Sequence, residues 1–150
     1  MTDISAYLPH RPPMRLVERL VSESPQTTVT EARVTEDNVF YDPALGGVPS
    51  WVGLEYLAQT AAVWLGLDCQ RHNRPVQPAF LVSSRSFDAE QPVFALGETL
   101  RISVIPNLID GPLVAFSGHI HDHQGALLVE AMFSAFQPQD PEAYLKASEP

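Results

Sequence analysis

One cysteine and one lysine stand in this 150-residue chain, and each scarcity excludes something. Cys69 has no partner for an intrachain disulfide, and no Cys-based zinc site can be built around it. A cytoplasmic location is the default expectation for such a chain. Lys146 is the sole lysine beside eight arginines, and with 18 carboxylates the formal net charge is −9. Neutralising phosphates needs a surplus of cations, so the balance argues against nucleic acid and against an anionic membrane surface. Charged residues of both signs reach only 18%, against about 25% in an average domain. The N-terminus, MTDISAYLPHRPP, lacks the basic stretch and apolar run of a secretion signal. The longest apolar stretch, around Leu57 to Leu67, is too short and too interrupted to span a bilayer. Internal repeats and low-complexity tracts are missing as well.

What is present is a chain able to fold alone. Hydrophobic residues make up 45%, which rules out disorder of the high-charge, low-hydrophobicity kind. The length suits one domain over 1–150, with a short N-terminal segment 1–13 and a C-terminal tail 138–150. Prolines number 14, where about seven would be average. Because proline ends helices and is excluded from central strands, its positions divide the chain into windows. The window 50–74 reads as one long helix, with Ser50 as candidate N-cap and Arg71–His72–Asn73 near its end. Leu54, Leu57, Ala58, Ala61, Ala62, Trp64 and Leu65 make it apolar almost all round, as in a helix buried on most sides. Glu55 and Gln59 interrupt that surface, and a spacing of four puts them on one face.

The remaining windows read as strands. TTVTEARVT (27–35) is rich in Thr and Val, and ETLRISVIP (98–106) alternates apolar and polar residues. PLVAFSGHIHD (112–122) and ALLVEAMFSAF (126–136) follow, set off by Asp-Gly at 110–111 and a turn ending at Gly125. MRLVERLVS (14–22) fits helix or strand. The sum is an α+β domain with one long helix inside antiparallel strands. One helix on one sheet leaves a face uncovered, which predicts a dimer.

Five segments, in order, resemble the hotdog-fold (3R)-hydroxyacyl-[acyl carrier protein] dehydratases. They are LPHRPPMRLVER (8–19), GVPSWVGLEYLAQ (47–59), FLVSSRSF (80–87), PVFALGETLRISV (92–104) and LLVEAMFSAF (127–136). The Pro49–Gln59 stretch is most similar to the small dehydratases of aryl-polyene-type clusters, which make fatty-acid- or polyketide-like products. The resemblance implies a hotdog fold, a helix wrapped by a curved antiparallel sheet, with protomers paired edge to edge. It implies active sites at the dimer interface, built from a His of one protomer and a helix Glu of the other. It implies no cofactor, and an acyl carrier protein bearing a phosphopantetheine-linked acyl chain as partner. Glu55 falls on the catalytic Glu position and Gln59 on the Gln after it. The family's His-Phe-Pro-Gly loop reads here NVFYDPALGGVPS (38–50), with no histidine.

Dehydration needs a base for the C2 proton, an acid for the C3 hydroxyl and donors for the thioester oxygen. Glu55, one turn into an apolar helix, suits the acid, since burial favours a neutral carboxyl. The turn Ser50–Trp51–Val52–Gly53 suits the oxygen. The base is open: His10, Tyr41 or Asp42 of this chain, or a histidine from a related hotdog subunit. Homodimer and heterodimer both stay open, as do a hotdog thioesterase and a non-catalytic subunit that stabilises a dehydratase. Gln59, Ser50, Trp51, Tyr41 and His10 are the candidate substrate contacts, although His10 more often just pins a loop. Arg85 and Arg11 are the candidate carrier-docking cations, with Arg15, Arg71 and Arg74 behind them. His119 and His121 share a strand face, and a solvated or pocket-rim face is favoured over a metal site. Trp51, Trp64 and Phe40 are more often core than ligand platform; in a hotdog fold Trp51 and Phe40 would lie near the acyl tunnel. Cys69 reads as an inert packed thiol, and Gly46–Gly47 as a loop hinge.

Overall fold

The computed structural model describes residue 4, residues 14–77 and residues 79–137. The ambiguous stretch after Met14 resolves into strand β1 (Arg19–Ser24), which turns directly into β2 (Thr27–Arg33). Along β2, Thr28, Thr30 and Ala32 face inward, the alternation of a strand covered on one side. A loop leads to β3 (Gly47–Pro49), a short 3-10 turn (Ser50–Val52) and helix α1 (Gly53–Arg71). Then come β4 (Phe80–Ala89), β5 (Val93–Ala95), β6 (Thr99–Asp110), β7 (Leu113–His121) and β8 (Leu127–Phe136). Six strands form one antiparallel sheet in the order β1-β2-β6-β7-β8-β4, while β3 pairs with β5 apart from it. The expected hairpin turns carry Gly111 and Gly125 at φ 58° and 86°, where a side chain would be strained.

Helix α1, 19 residues long, crosses the inner face of the sheet with 13 of its residues buried. Gly118 of β7 makes the approach close: a Cβ there would lie 2.7 Å from Leu57 Cδ2 and 3.0 Å from Phe133 Cε1. Phe116 stacks on Phe133 at 5.5 Å and meets Trp64 edge-on at 5.7 Å, filling the space between helix and sheet. Polar ties fix the helix along its length. The Thr60 hydroxyl donates to Tyr56 O (2.9 Å) and lies 2.8 Å from the Thr30 hydroxyl, and Trp64 Nε1 donates to Pro25 O (3.2 Å). No described helix is long and apolar enough to cross a membrane.

Three local expectations are corrected. Ser50 is not an N-cap: its N–H donates to Pro92 O (2.9 Å), and α1 starts at Gly53 with no side-chain cap. The β3–β5 pairing holds the chain there, so it enters the helix through a 3-10 turn. Prolines do not all mark strand ends, because Pro106 sits inside β6. β2 stops pairing at Val104 and the β7 ladder shifts between Pro106 and Leu108, so the missing N–H disrupts no regular rung. The hinge at Gly46–Gly47 is half right. Gly46 takes φ 70°, but Gly47 belongs to β3, where a Cβ would lie 2.1 Å from Phe94 O.

Candidate active site

The first turns of α1 turn one face away from the sheet centre and toward β4. Glu55, Ala58 and Ala62 follow one another on it at helical spacing. With Ala79, Phe80, Leu81, Phe133 and Ala135 they line a cleft of about 90 Å³. Four of these side chains are alanines, and the cleft exists because they leave its volume empty. Glu55 is the only ionisable group among the described lining residues.

Gln59, one turn further on, is completely buried. Its Oε1 accepts from Leu16 N (2.8 Å) and Val17 N (3.4 Å), and its Nε2 donates to Met14 O (2.8 Å) and Glu55 Oε1 (3.0 Å). An amide engaged on both atoms and shut off from the cleft has nothing left for a substrate. It ties the Glu55 carboxyl to the chain entering β1. The i, i+4 relation of the two residues, visible in the sequence, is the reason they meet.

The loop 38–50 is pinned to the helix by Asn38. Its Nδ2 donates to the Tyr56 hydroxyl (3.0 Å) while its Oδ1 accepts from Phe40 N (2.7 Å). Burial is the main reason the Tyr56 phenol is pushed up to about 12, the Asn38 bond partly opposing it. Asn38 was missed by sequence reasoning; its only trace there is an Asn two residues before an aromatic, in Asx-turn position. Asp42 builds its own turn: Oδ1 accepts from Ala44 N (2.9 Å), and its carbonyl accepts from Leu45 N (3.1 Å) and Gly46 N (3.0 Å). Tyr41 is half-buried against the core.

The other candidates scatter. Trp51 is not core: it is 65% exposed, with Phe40 edge-on to it at 5.8 Å, whereas Trp64 is 2% exposed. Ser50 lies at the base of the same turn. His10 and Arg11 lie outside the described residues. Arg15 donates to Val17 O and Glu18 O (both 3.0 Å), Arg71 pairs with Glu23, and Arg74 with Asp68 (3.1 Å). Arg85 is exposed in the middle of β4. His119 and His121 are half-buried neighbours, rings 6.3 Å apart, and His119 faces Glu130 at 3.7 Å. Among the described residues, no three His, Cys, Asp or Glu side chains form a metal-binding group. Cys69 is buried and its thiol donates to Gln137 Oε1 (3.3 Å).

A family model described as ApeP-like, ApeP dehydratase, matches residues 2–146. The chain is 31% identical over 99 residues to the 3-hydroxyacyl-[acyl-carrier-protein] dehydratase FabZ of Janthinobacterium sp. (strain Marseille), and 34% identical over 96 residues to that of Anaeromyxobacter sp. (strain K). These matches take in 52% and 50% of this chain and 64% and 62% of the relatives, under two thirds of either relative. The fold is similar to a solved structure described as the dehydratase heterocomplex ApeI:P from Xenorhabdus doucetiae. The TM-score is 0.90 at 25% identity, over 99% of both chains.

Proposed function

The chain belongs to the ApeP-like dehydratase family, and on that premise we propose that it is one subunit of a two-subunit dehydratase. The substrate is a 3-hydroxyacyl thioester on the phosphopantetheine of an acyl carrier protein, and the product a trans-2-enoyl thioester. The observation that carries the proposal is Glu55: a carboxyl held by a buried Gln59, lining a small-residue cleft that opens beside the edge strand β4.

Loss of water breaks the C2–H and C3–O bonds. A base takes the C2 proton, the C–H electron pair becomes the second C2–C3 bond, and the hydroxyl leaves as water with a proton from an acid. Glu55 is the acid. Gln59 is a positioning residue: through Nε2 it holds the carboxyl against the cleft. The thioester oxygen, as it gains charge, is met at the positive start of the helix by the Trp51 N–H, since Ser50 N–H is engaged by Pro92 O and the next N–H groups close the 3-10 turn. The exposed indole of Trp51, four residues before Glu55 in the chain, and Tyr41 are the further substrate contacts of this reading. The base is a histidine of the second subunit. Loop 38–50 holds none, and the Asp42 carboxylate is engaged in its own turn.

The test is mass spectrometry of carrier-bound 3-hydroxyacyl substrate. The chain is supplied alone and then with a histidine-bearing hotdog subunit. The pair should lose water from the substrate and the chain alone should not. Glu55→Gln in the pair should slow the reaction by about 10²–10⁴-fold, the usual worth of a general acid. Full activity of that variant removes Glu55 from the mechanism, ordinary rates from the chain alone remove the partner, and free acid instead of enoyl product indicates a thioesterase.

A further inference from the structure

Three of the alanines that line the cleft beside Glu55 come from three different walls: Ala62 from α1, Ala79 from the chain entering β4 and Ala135 from β8. All three walls continue past them to a single side chain. Two residues beyond Ala135, a step that returns a strand to the same face, stands Gln137. Its Oε1 accepts from the Cys69 thiol (3.3 Å), on α1 about two turns beyond Ala62. Its Nε2 donates to Gln77 O (2.7 Å), two residues before Ala79. Its backbone N–H donates to Pro112 O (2.9 Å), which fixes the stem from which the side chain reaches. Both amide atoms are engaged, so the side chain is held across the three walls and does not swing aside freely.

Helix geometry gives the distance to that crossing. Ala62 lies seven residues after Glu55, about 10 Å of helix. An extended hydrocarbon chain advances about 1.25 Å per carbon, given single bonds of about 1.5 Å. About eight carbons therefore reach from Glu55 to the alanines, and the next ones meet Gln137. We propose that Gln137 closes the far end of the acyl cleft and sets the longest chain the site accepts, about eight carbons past C3. The proposal rests on the dehydratase reading above and adds to it the residue that limits the substrate. A chain that goes further has to push the amide off the Cys69 thiol and the Gln77 carbonyl. Its terminal methyl group offers neither of them a hydrogen bond, and polar groups shut in against an apolar chain without a partner are costly. The limit is therefore a step in chain length and not a gradual decline.

The test is kcat/KM for carrier-bound 3-hydroxyacyl chains of increasing length, measured on the two-subunit enzyme. Wild type should hold its rate to about 11 carbons and lose about tenfold or more within the next few. Gln137→Ala shortens the side chain by about 4 Å, so its drop should come about three carbons later. Gln137→Asn keeps the amide on a stem one methylene shorter, a milder change to the fold, and should move the drop by about one carbon. Binding of saturated acyl-pantetheines, which have no hydroxyl to lose, should show the same limit and the same shifts by calorimetry. If no chain is dehydrated while binding keeps its limit and its shifts, the dehydratase reading fails and this one stands. A limit that neither variant moves, or binding at no length, overturns the proposal. So does an equal loss at every length, which is what a merely structural tie would give.

Discussion

Gln59 is a side chain whose polarity serves no solvent. Completely buried, it joins the chain before β1 to the carboxyl of Glu55 through four hydrogen bonds. Gln59→Leu keeps the volume and strands the buried Leu16 and Val17 N–H groups. Each unsatisfied buried group costs about 1–3 kcal/mol, so denaturant unfolding should show a loss of that size. The two-subunit enzyme should then lose kcat more than KM, since the acid is displaced and the cleft is intact. Tyr56 carries the other residue-scale prediction. Its folded pKa is raised from 10.0 to about 12, chiefly by burial. The neutral phenol is therefore favoured by folding: the stabilisation is complete below pH 10 and is lost as pH climbs toward 12. Stability should fall over that interval in wild type and much less in Tyr56→Phe, as followed by unfolding at several alkaline pH values. Glu55 and Gln59 were legible in the sequence because helical spacing alone puts them together. Asn38 was not, because its partner Tyr56 is brought to it only by the folded loop.

At the scale of elements, helix α1 was the most legible, since a run apolar on every side has few other places to go. It starts later than Ser50 because the Ser50 N–H is claimed by Pro92, the residue before strand β5, which lies far along the chain and pairs with β3. That pairing depends on Gly47, where even a methyl group meets the Phe94 carbonyl at 2.1 Å. Gly47→Ala should cost about 1–3 kcal/mol, the usual range for overpacking, measured as a lowered midpoint of urea unfolding. Because β3 leads straight into the turn before Glu55, activity should fall with it. The alanine face of α1 makes the opposite trade. Ala62→Leu places methyl groups in the cleft, so thermal unfolding should be unchanged or shifted upward while dehydration slows. A loss of both would mean that the cleft is filled in the resting protein.

For the molecule as a whole, the sheet covers one side of the helix and stops at β4, leaving a lined cleft and an unpaired edge next to each other. On the two-subunit proposal, that adjacency sets Glu55 beside the edge where a second subunit would bring the histidine that loop 38–50 lacks. Its composition and residue spacing alone were enough to expect an α+β fold without disulfides and a chain ill-suited to nucleic acid, and to place Glu55 and Gln59 on one buried helix. Those are consequences of local spacing and total charge, which a linear chain already contains. Only the tertiary structure decided that Gln59 ties the Glu55 carboxyl to the chain entering β1 and that Asp42 is engaged in a turn. It also decided that Trp51 lies open and that Arg85 stands at the centre of a bulged edge. Each of these depends on which distant backbone groups arrive beside a side chain, and that is determined by strand register and by the path of the loop over the helix.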